Sequence, residues 1–412
     1  MTTSEVEEVR AWIASNWSTD LTVGEWWQRM ADAGYSNSML PPPYGRGYSQ
    51  DVAALVGNEF GRADVLGPPG GLGLMLAAPT IATHGTPEQQ QRFIPQILNG
   101  QEGWCQLFSE PGAGSDLAGL QCRAERDGEE WRVNGQKVWT STGQNADWGI
   151  LIARTDPDLP KHQGISYFLF PMLQPGVDVR PLREMTGRAM FNEVFLTDAI
   201  VSNEYLLGGL NNGWAVANTT LMFERAGIGG GGTSFSAAIP GSVSGHVARK
   251  VSEFVGVRGE MGAVHVGPEL VERLTEVARE RGRSNDPVIR QQLTSLHTKI
   301  ELIALGIQRA KSGSGRTGAE GNLAKLAMSD ALRDARQLVG DLLGPDATLW
   351  GSEASTGGAL QELIVFSPAP SIYGGTDQVQ RNIIGERVLG LPKEPGPDKT
   401  TPFRELAHNA TK

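Results

Sequence analysis

The hydrophobic period of this chain changes twice, and few folds accommodate that order. Residues 1–104 carry helical spacing, at Glu5–Asn16 and again at Gly24–Ala33. Thr86-Pro87-Glu88-Gln89 adds a helix start: a capping threonine, proline at the first helical position and a glutamine completing a capping box. Residues 105–203 switch to short runs rich in β-branched and aromatic side chains, Gly149–Ala153, Ser166–Pro171 and Val194–Leu196. Asn134–Gly135, between Trp131–Val133 and Lys137–Thr140, carries a hairpin signal. Helical spacing then returns over Pro287–Arg309, Gly321–Leu343 and Asp377–Val388. Helices, then strands, then helices predict an α+β chain with segregated layers rather than alternating βαβ units. The expected units are an all-α segment 1–104, an antiparallel β segment 105–203 forming a sandwich or barrel, and a helical segment 204–395. Within the last, the Gly/Ser-rich stretch 229–267 is expected to be a broken helix followed by a long loop. The polar, proline-rich tail 396–412 is expected to be loosely ordered.

Composition removes several function classes. A net charge of -10 argues against a nucleic-acid partner. Cys105 and Cys122 are the only cysteines and the six histidines are scattered, so neither a disulfide scaffold nor a metal site is expected. No run of 18 apolar residues is present and the acidic N-terminus lacks a signal-peptide pattern, which points to a cytoplasmic chain without a membrane span. Gly313-Ser-Gly315-Arg-Thr-Gly318 matches the dinucleotide fingerprint, but it lies between helical segments and reads as an interhelical loop.

The chemistry concentrates in Trp104–Thr155. Pro111, Gly112 and Gly114 force an irregular turn with Ser109 and Ser115 on either side, and the glycines allow backbone N–H groups close to a ligand. Trp139 is followed by Thr140, Ser141 and Thr142, an aromatic face beside hydroxyls, as a planar cofactor requires. A β-turn and a core tryptophan would use the same residues, and residue types alone do not choose between the two.

SEPGAGSDLAG (Ser109–Gly119), followed by NGQKVWTS (Asn134–Ser141) and later by IYGGTDQVQRNIIGERVLGLP (Ile372–Pro392), resembles the hallmark motifs of the acyl-CoA dehydrogenase family. The resemblance extends over nearly the whole chain. It implies an N-terminal helical domain, a middle β domain and a C-terminal four-helix bundle, with FAD between the last two at a subunit contact. It places Gln106, Phe108 and Ser109 along the flavin ring, with Trp139 and Ser141 against its far edge. Thr376 and Gln378 are implied as flavin contacts, and Ser115 as a contact of the acyl-CoA. Arg281 matches an arginine that reaches the FAD pyrophosphate of a neighbouring subunit, although Gly282-Arg283-Ser284-Asn285 departs from the family's Thr-Phe-Gly continuation.

The reaction so implied needs a carboxylate near the carbon alpha to the thioester and hydrogen bonds to the thioester oxygen. Many members carry that carboxylate directly after the tyrosine of YEGT. Here the position is Gly374, which offers a backbone N–H and no base, with Gly375 beside it. The stripe Trp214, Ala217, Leu221, Glu224, Ile228 puts Glu224 on an apolar helix face, where a carboxylate is either paired or poised as a base. Long-chain and isovaleryl-CoA dehydrogenases take their base from this helix, within a Glu-Arg pair. Glu224-Arg225 together with Tyr373-Gly374-Gly375-Thr376 therefore identifies Glu224 as the expected base and Arg225 as a substrate contact. The glycines Gly229–Gly232 suit a helix end with a loop, or a widened pocket for a bulky acyl group. By the same resemblance the electron acceptor is an electron-transfer flavoprotein and the assembly a homo- or hetero-oligomer, a dimer of dimers. Two other readings stand beside this one: a base-deficient or structural subunit of a mixed tetramer, and an oxygen-using flavin relative of the monooxygenase or nitroalkane oxidase type.

Overall fold

Helix starts written into the sequence organise the N-terminal part of the computed structural model, which describes residues 2–229, 237–256, 266–312, 319–354, 357–393, 395–396 and 399–406. Helices α1 (Thr2–Asn16), α2 (Val23–Asp32) and α3 (Gln50–Arg62) precede a π turn, Gly73–Ala77, that runs into α4 (Ala78–His84) and α5 (Pro87–Leu98). At α5 the Thr86 side chain accepts from the Gln89 amide while the Gln89 side chain accepts from the Thr86 amide, as the capping-box pattern predicts. Thr22 and Glu25 do the same at α2. The inward faces of α1, α2 and α3 bury Val9, Ile13, Trp26, Trp27, Met30 and Phe60 together.

The eight strands are β1 (Trp104–Leu107), β2 (Arg123–Asp127), β3 (Glu130–Ser141), β4 (Trp148–Arg154), β5 (Ile165–Pro171), β6 (Val177–Leu182), β7 (Phe191–Ser202) and β8 (Leu206–Leu207). They form one sheet in the order β6-β7-β3-β2-β4-β5-β8, with β1 beside β4. Most pairings are antiparallel, as expected, but β1 and β2 each run parallel to β4. The expected hairpin at Asn134–Gly135 is not formed. β3 runs straight through these residues, and the turn lies earlier, between the paired residues Asp127 and Glu130. Gly135 instead marks a bulge against β7: a Cβ there would stand 2.7 Å from the Cα of Cys122, so the glycine serves close strand approach. The Asn134 side chain bonds Asp198 across the same bulge.

Helices return with α6 (Gly213–Gly229), α7 (Pro268–Glu280), α8 (Pro287–Ser312), α9 (Glu320–Leu343), α10 (Ala359–Phe366) and α11 (Asp377–Ile383), the last extended by a π turn over Ile384–Val388. Leu274 and Val277 of α7, Ile289 and Leu296 of α8, Ala335 and Leu338 of α9, and Leu360 of α10 share one apolar core. Gly230–Gly232 and Gly313–Gly318 lie outside the described residues.

Two stretches without long elements are packed where they are described. Residues 237–256, within the expected loop, hold only short 3-10 turns but are docked. Ala238, Val251 and Phe254 are buried in the α1–α3 core, and the amides of Val23 and Val251 bond Arg249 and Leu21 across the contact. The tail is docked over its described part: Phe403 is buried beneath the guanidinium of Arg154, 3.7 Å from its ring centre, and the Phe403 amide donates to Leu159.

Candidate active site

A buried ion pair fixes the irregular turn after β1. The Glu110 carboxylate accepts from the amides of Gln121 (2.7 Å) and Cys122 (2.9 Å) and from Lys137 Nζ (2.8 Å). Lys137 is fully buried and also donates to the Phe108 carbonyl at 3.1 Å. Sequence reasoning passed over this pair; the signal was a glutamate and a lysine inside two motifs that otherwise supply glycines and hydroxyls. The pair holds Phe108 and Ser109 against β3, and the Val138 amide donates to the Ser109 carbonyl at 2.9 Å. Ser115, on the far limb of the turn, is exposed, and its neighbour Asp116 pairs with Lys161. Burial raises the Cys105 and Cys122 thiols, the latter to about 11, so both stay protonated and inert.

Beyond Val138 the backbone of β3 departs from regular pairing. Its register with β7 shifts between Lys137 and Thr140, and Trp139 adopts φ +60°. A bulky residue in the left-handed region is strained by about 1–2 kcal/mol. The consequence is that the indole turns out of the sheet, 57 % exposed, with only its edge resting on Phe191. Ser141 follows, half-buried and paired with Phe191. A strained bulge that presents a flat aromatic face beside hydroxyls suits a planar ring system.

Helix α6 faces this end of β1. Its buried face runs through Gly213, Val216, Ala217 and Thr220, slightly rotated from the stripe read in the sequence, so that Glu224 sits at the edge of the face, half-buried. Thr220, one turn before Glu224, bonds Thr80 and Tyr167, both at 3.0 Å, which fixes the rotation of α6. Gln106 Nε2 donates to the Glu224 carboxylate at 3.4 Å. The Arg225 side chain lies outside the described residues.

The Tyr373–Thr376 turn has Gly374 at φ +62° and Gly375 at φ +83°, conformations that favour glycine. Gln380 Nε2 donates to the Gly374 carbonyl at 2.7 Å, and Thr376 caps α11. Asp377 is buried with Lys325 and Arg333, each at 2.9 Å. Gln378 is exposed. α11, which follows the turn, and α6 both rest on α9. Arg281 closes α7 and engages Asp346 at 2.5 Å within its own helical unit.

Comparison with known proteins bears directly on this arrangement. The chain matches the acyl-CoA dehydrogenase N-terminal domain over residues 3–101, the middle domain over 105–199 and the C-terminal domain over 257–389. The chain belongs to the acyl-CoA dehydrogenase family. It is 37 % identical over 372 residues to the acyl-CoA dehydrogenase IpdE1 of Mycobacterium tuberculosis, covering 90 % of this chain and 88 % of that one. Among solved structures, the Tcur3481-Tcur3483 steroid ACAD is 25 % identical with a TM-score of 0.71, covering 95 % of this chain and 98 % of that one. The ChsE4-ChsE5 complex of Mycobacterium tuberculosis is 27 % identical with a TM-score of 0.69, at 95 % and 98 % coverage.

This acyl-CoA dehydrogenase is accordingly an FAD-dependent oxidoreductase with the α+β architecture expected of it. Residues suited to holding such a cofactor are present: Trp139 offers an open aromatic face, Ser141 lies two residues on, and the Ser109 carbonyl is joined to β3 at Val138. Among the described residues no group of His, Cys, Asp and Glu could hold a metal, and no helix is long and apolar enough to cross a membrane.

Proposed function

We propose that this acyl-CoA dehydrogenase removes the α and β hydrogens of an acyl-CoA thioester to give the trans-2-enoyl-CoA, with Glu224 as the base. The observation that carries the reading is the position of Glu224: half-buried on α6 and touching Gln106 at the strand whose turn leads to Ser109. In this reading Gln106, Phe108, Ser109, Trp139, Ser141, Thr376 and Gln378 hold the flavin, and Arg281 reaches the cofactor of a neighbouring subunit. Ser115, Arg225 and Gly375 hold the acyl-CoA.

The alpha proton is weakly acidic, so the thioester oxygen must be stabilised as the proton leaves. The Gly374 amide, in a turn that Gln380 holds from behind, is the assigned donor. With hydrogen as its side chain, Gly374 leaves the approach to the alpha carbon to Glu224. A carboxylate that accepts this proton acts as the general base of the step. FAD, when bound, supplies the acceptor for the beta hydride. An electron-transfer flavoprotein then takes up the electrons, and the working assembly is an oligomer in the cytoplasm.

For the acyl group, a ring-bearing chain is favoured. The steroid ACAD shares the fold over nearly its whole length. Cyclohexane-1-carbonyl-CoA dehydrogenase of Syntrophus aciditrophicus is 31 % identical over 204 residues, 48 % of this chain and 52 % of that one. A mixed assembly with a second, related subunit is the alternative form of the same reading, favoured by the likeness to the ChsE4-ChsE5 complex.

Glu224→Gln tests the central step. The variant is expected to purify yellow and to bind acyl-CoA, with turnover reduced by about 10²–10⁴-fold and no anaerobic bleaching of the flavin. Full bleaching at the wild-type rate would remove Glu224 from the role.

A further inference from the structure

The tail and the Ser115 turn meet on one guanidinium. Arg154, the last residue of β4, is 4 % exposed. It donates to the carbonyls of Lys161 and Ala118, each at 2.6 Å, and to that of Leu120 at 3.3 Å. Ala118 lies in the short helical turn Leu117–Gly119 that follows Ser115 and Asp116, and Leu120 closes it. Lys161 returns to the same place, with its Nζ on the two oxygens of Asp116 at 2.8 and 2.9 Å. Arg154 therefore holds the turn twice: directly through Ala118 and Leu120, and through Lys161 at the residue next to Ser115.

A buried charge is ordinarily paired with an opposite one. Among the described residues no carboxylate pairs directly with Arg154, and its Nε is buried without an acceptor. Burial presses its pKa down to about 10, against the opposing pull of Glu110 and Asp116. Three carbonyls and one aromatic face hold the charge in place of a counter-ion. That face is the buried ring of Phe403, whose centre lies 3.7 Å from Cζ. The ring attracts the cation and keeps water from it, and bonds to a charged donor are stronger where water is excluded.

The segment that supplies the ring is itself anchored. The amides of Phe403 and Arg404 donate to the carbonyls of Leu159 (2.9 Å) and Pro157 (3.1 Å), Pro402 forms a bridge with Pro160, and Arg404 pairs with Asp158. All of these partners lie in the loop 155–164 that carries Lys161.

We propose that Phe403 is a positioning residue for acyl-CoA binding: by covering Arg154 it fixes the turn that presents Ser115 to the ligand. The C-terminal segment thereby completes a binding surface formed much earlier in the chain. This rests on the reading of Ser115 as an acyl-CoA contact.

The test is calorimetric binding of acetyl-CoA to the oxidised holoenzyme. This probe carries the whole CoA group and the thioester but has no β carbon, so it binds without being dehydrogenated. Phe403→Ala is expected to raise Kd about three- to tenfold. Phe403→Tyr keeps the ring and is expected to stay within about twofold of wild type. In a Ser115→Ala background, Phe403→Ala should add little, because the turn it fixes no longer presents a hydroxyl. A merely structural loss would be equal in both backgrounds. Normal binding in Phe403→Ala beside weakened binding in Ser115→Ala overturns this proposal alone, and so do losses that add in the double variant. Should Phe403→Ala lose its FAD, Phe403→Leu, which keeps most of the volume without the aromatic face, enters the same cycle with an expected loss of about threefold. Unchanged binding in Ser115→Ala falls on the Ser115 reading itself and takes the proposal with it.

Discussion

Asp377 stands directly after the Gly374–Thr376 turn, and its ionisation holds that turn in place. Burial opposes its charge, but hydrogen bonds from Arg333 and Lys325 outweigh that and hold its pKa below the usual aspartate value, at about 2. A carboxyl depressed in the folded state stabilises above its unfolded pKa. The contribution, about 2 kcal/mol by linkage, is therefore complete above about pH 4 and lost as pH falls towards 2. Denaturation midpoints followed against pH should show an acid limb in that window. Asp377→Asn should flatten it and lower stability at neutral pH, because Lys325 then remains buried without its counter-charge. An unchanged acid limb in the variant would contradict this account. The same scale explains why Glu224 was legible in the sequence and its setting was not. A glutamate on an apolar helical stripe is visible in spacing, but the hydroxyl bonds of Thr220 to Thr80 and Tyr167 join residues remote in the chain.

Elements reveal how strand β3 serves two purposes. Its first half pairs with β2 and, through a bulge at Gly135, with β7, and its second half bulges again to expose Trp139. Trp139→Gly should leave the apoprotein as stable as before or more so, since about 1–2 kcal/mol of left-handed strain is relieved and little buried area is lost. The same variant should retain FAD poorly, read as the flavin-to-protein absorbance ratio after gel filtration. Loss of apoprotein stability with normal FAD content would reverse the assignment. The misplaced hairpin has the same origin. Asn-Gly favours a turn locally, but long-range pairing to β7 kept the strand extended and used the glycine for a bulge beside Cys122.

At the scale of the whole molecule, two stretches that look like linkers act as clamps. The segment 237–256 covers the α1–α3 core, and the Asp147 carboxylate ties it to the sheet by accepting from the amides of Gly103 (2.7 Å) and Ser242 (3.1 Å). The tail reaches back over the sheet, where Phe403 covers Arg154, and Arg154 in turn donates to the carbonyls of Ala118 and Leu120 behind the Ser115 turn. Phe403→Ala should free the tail, seen as new proteolytic cleavage beyond residue 396 under native conditions. An unchanged digestion pattern would show that the docking does not depend on that ring.

The sequence by itself determined the order of helical and strand segments, the helix start at Thr86, the two motif-bearing turns and the glutamate on α6. All of these are local patterns, carried by side-chain periodicity and by residues with special backbone preferences. Only the tertiary structure decided that Lys137 neutralises Glu110, that Trp139 turns outward, and that residues 237–256 and the tail are packed. Each of these depends on which distant surfaces meet. Burial and hydrogen-bond satisfaction belong to pairs of remote residues, and neither composition nor spacing encodes them one segment at a time.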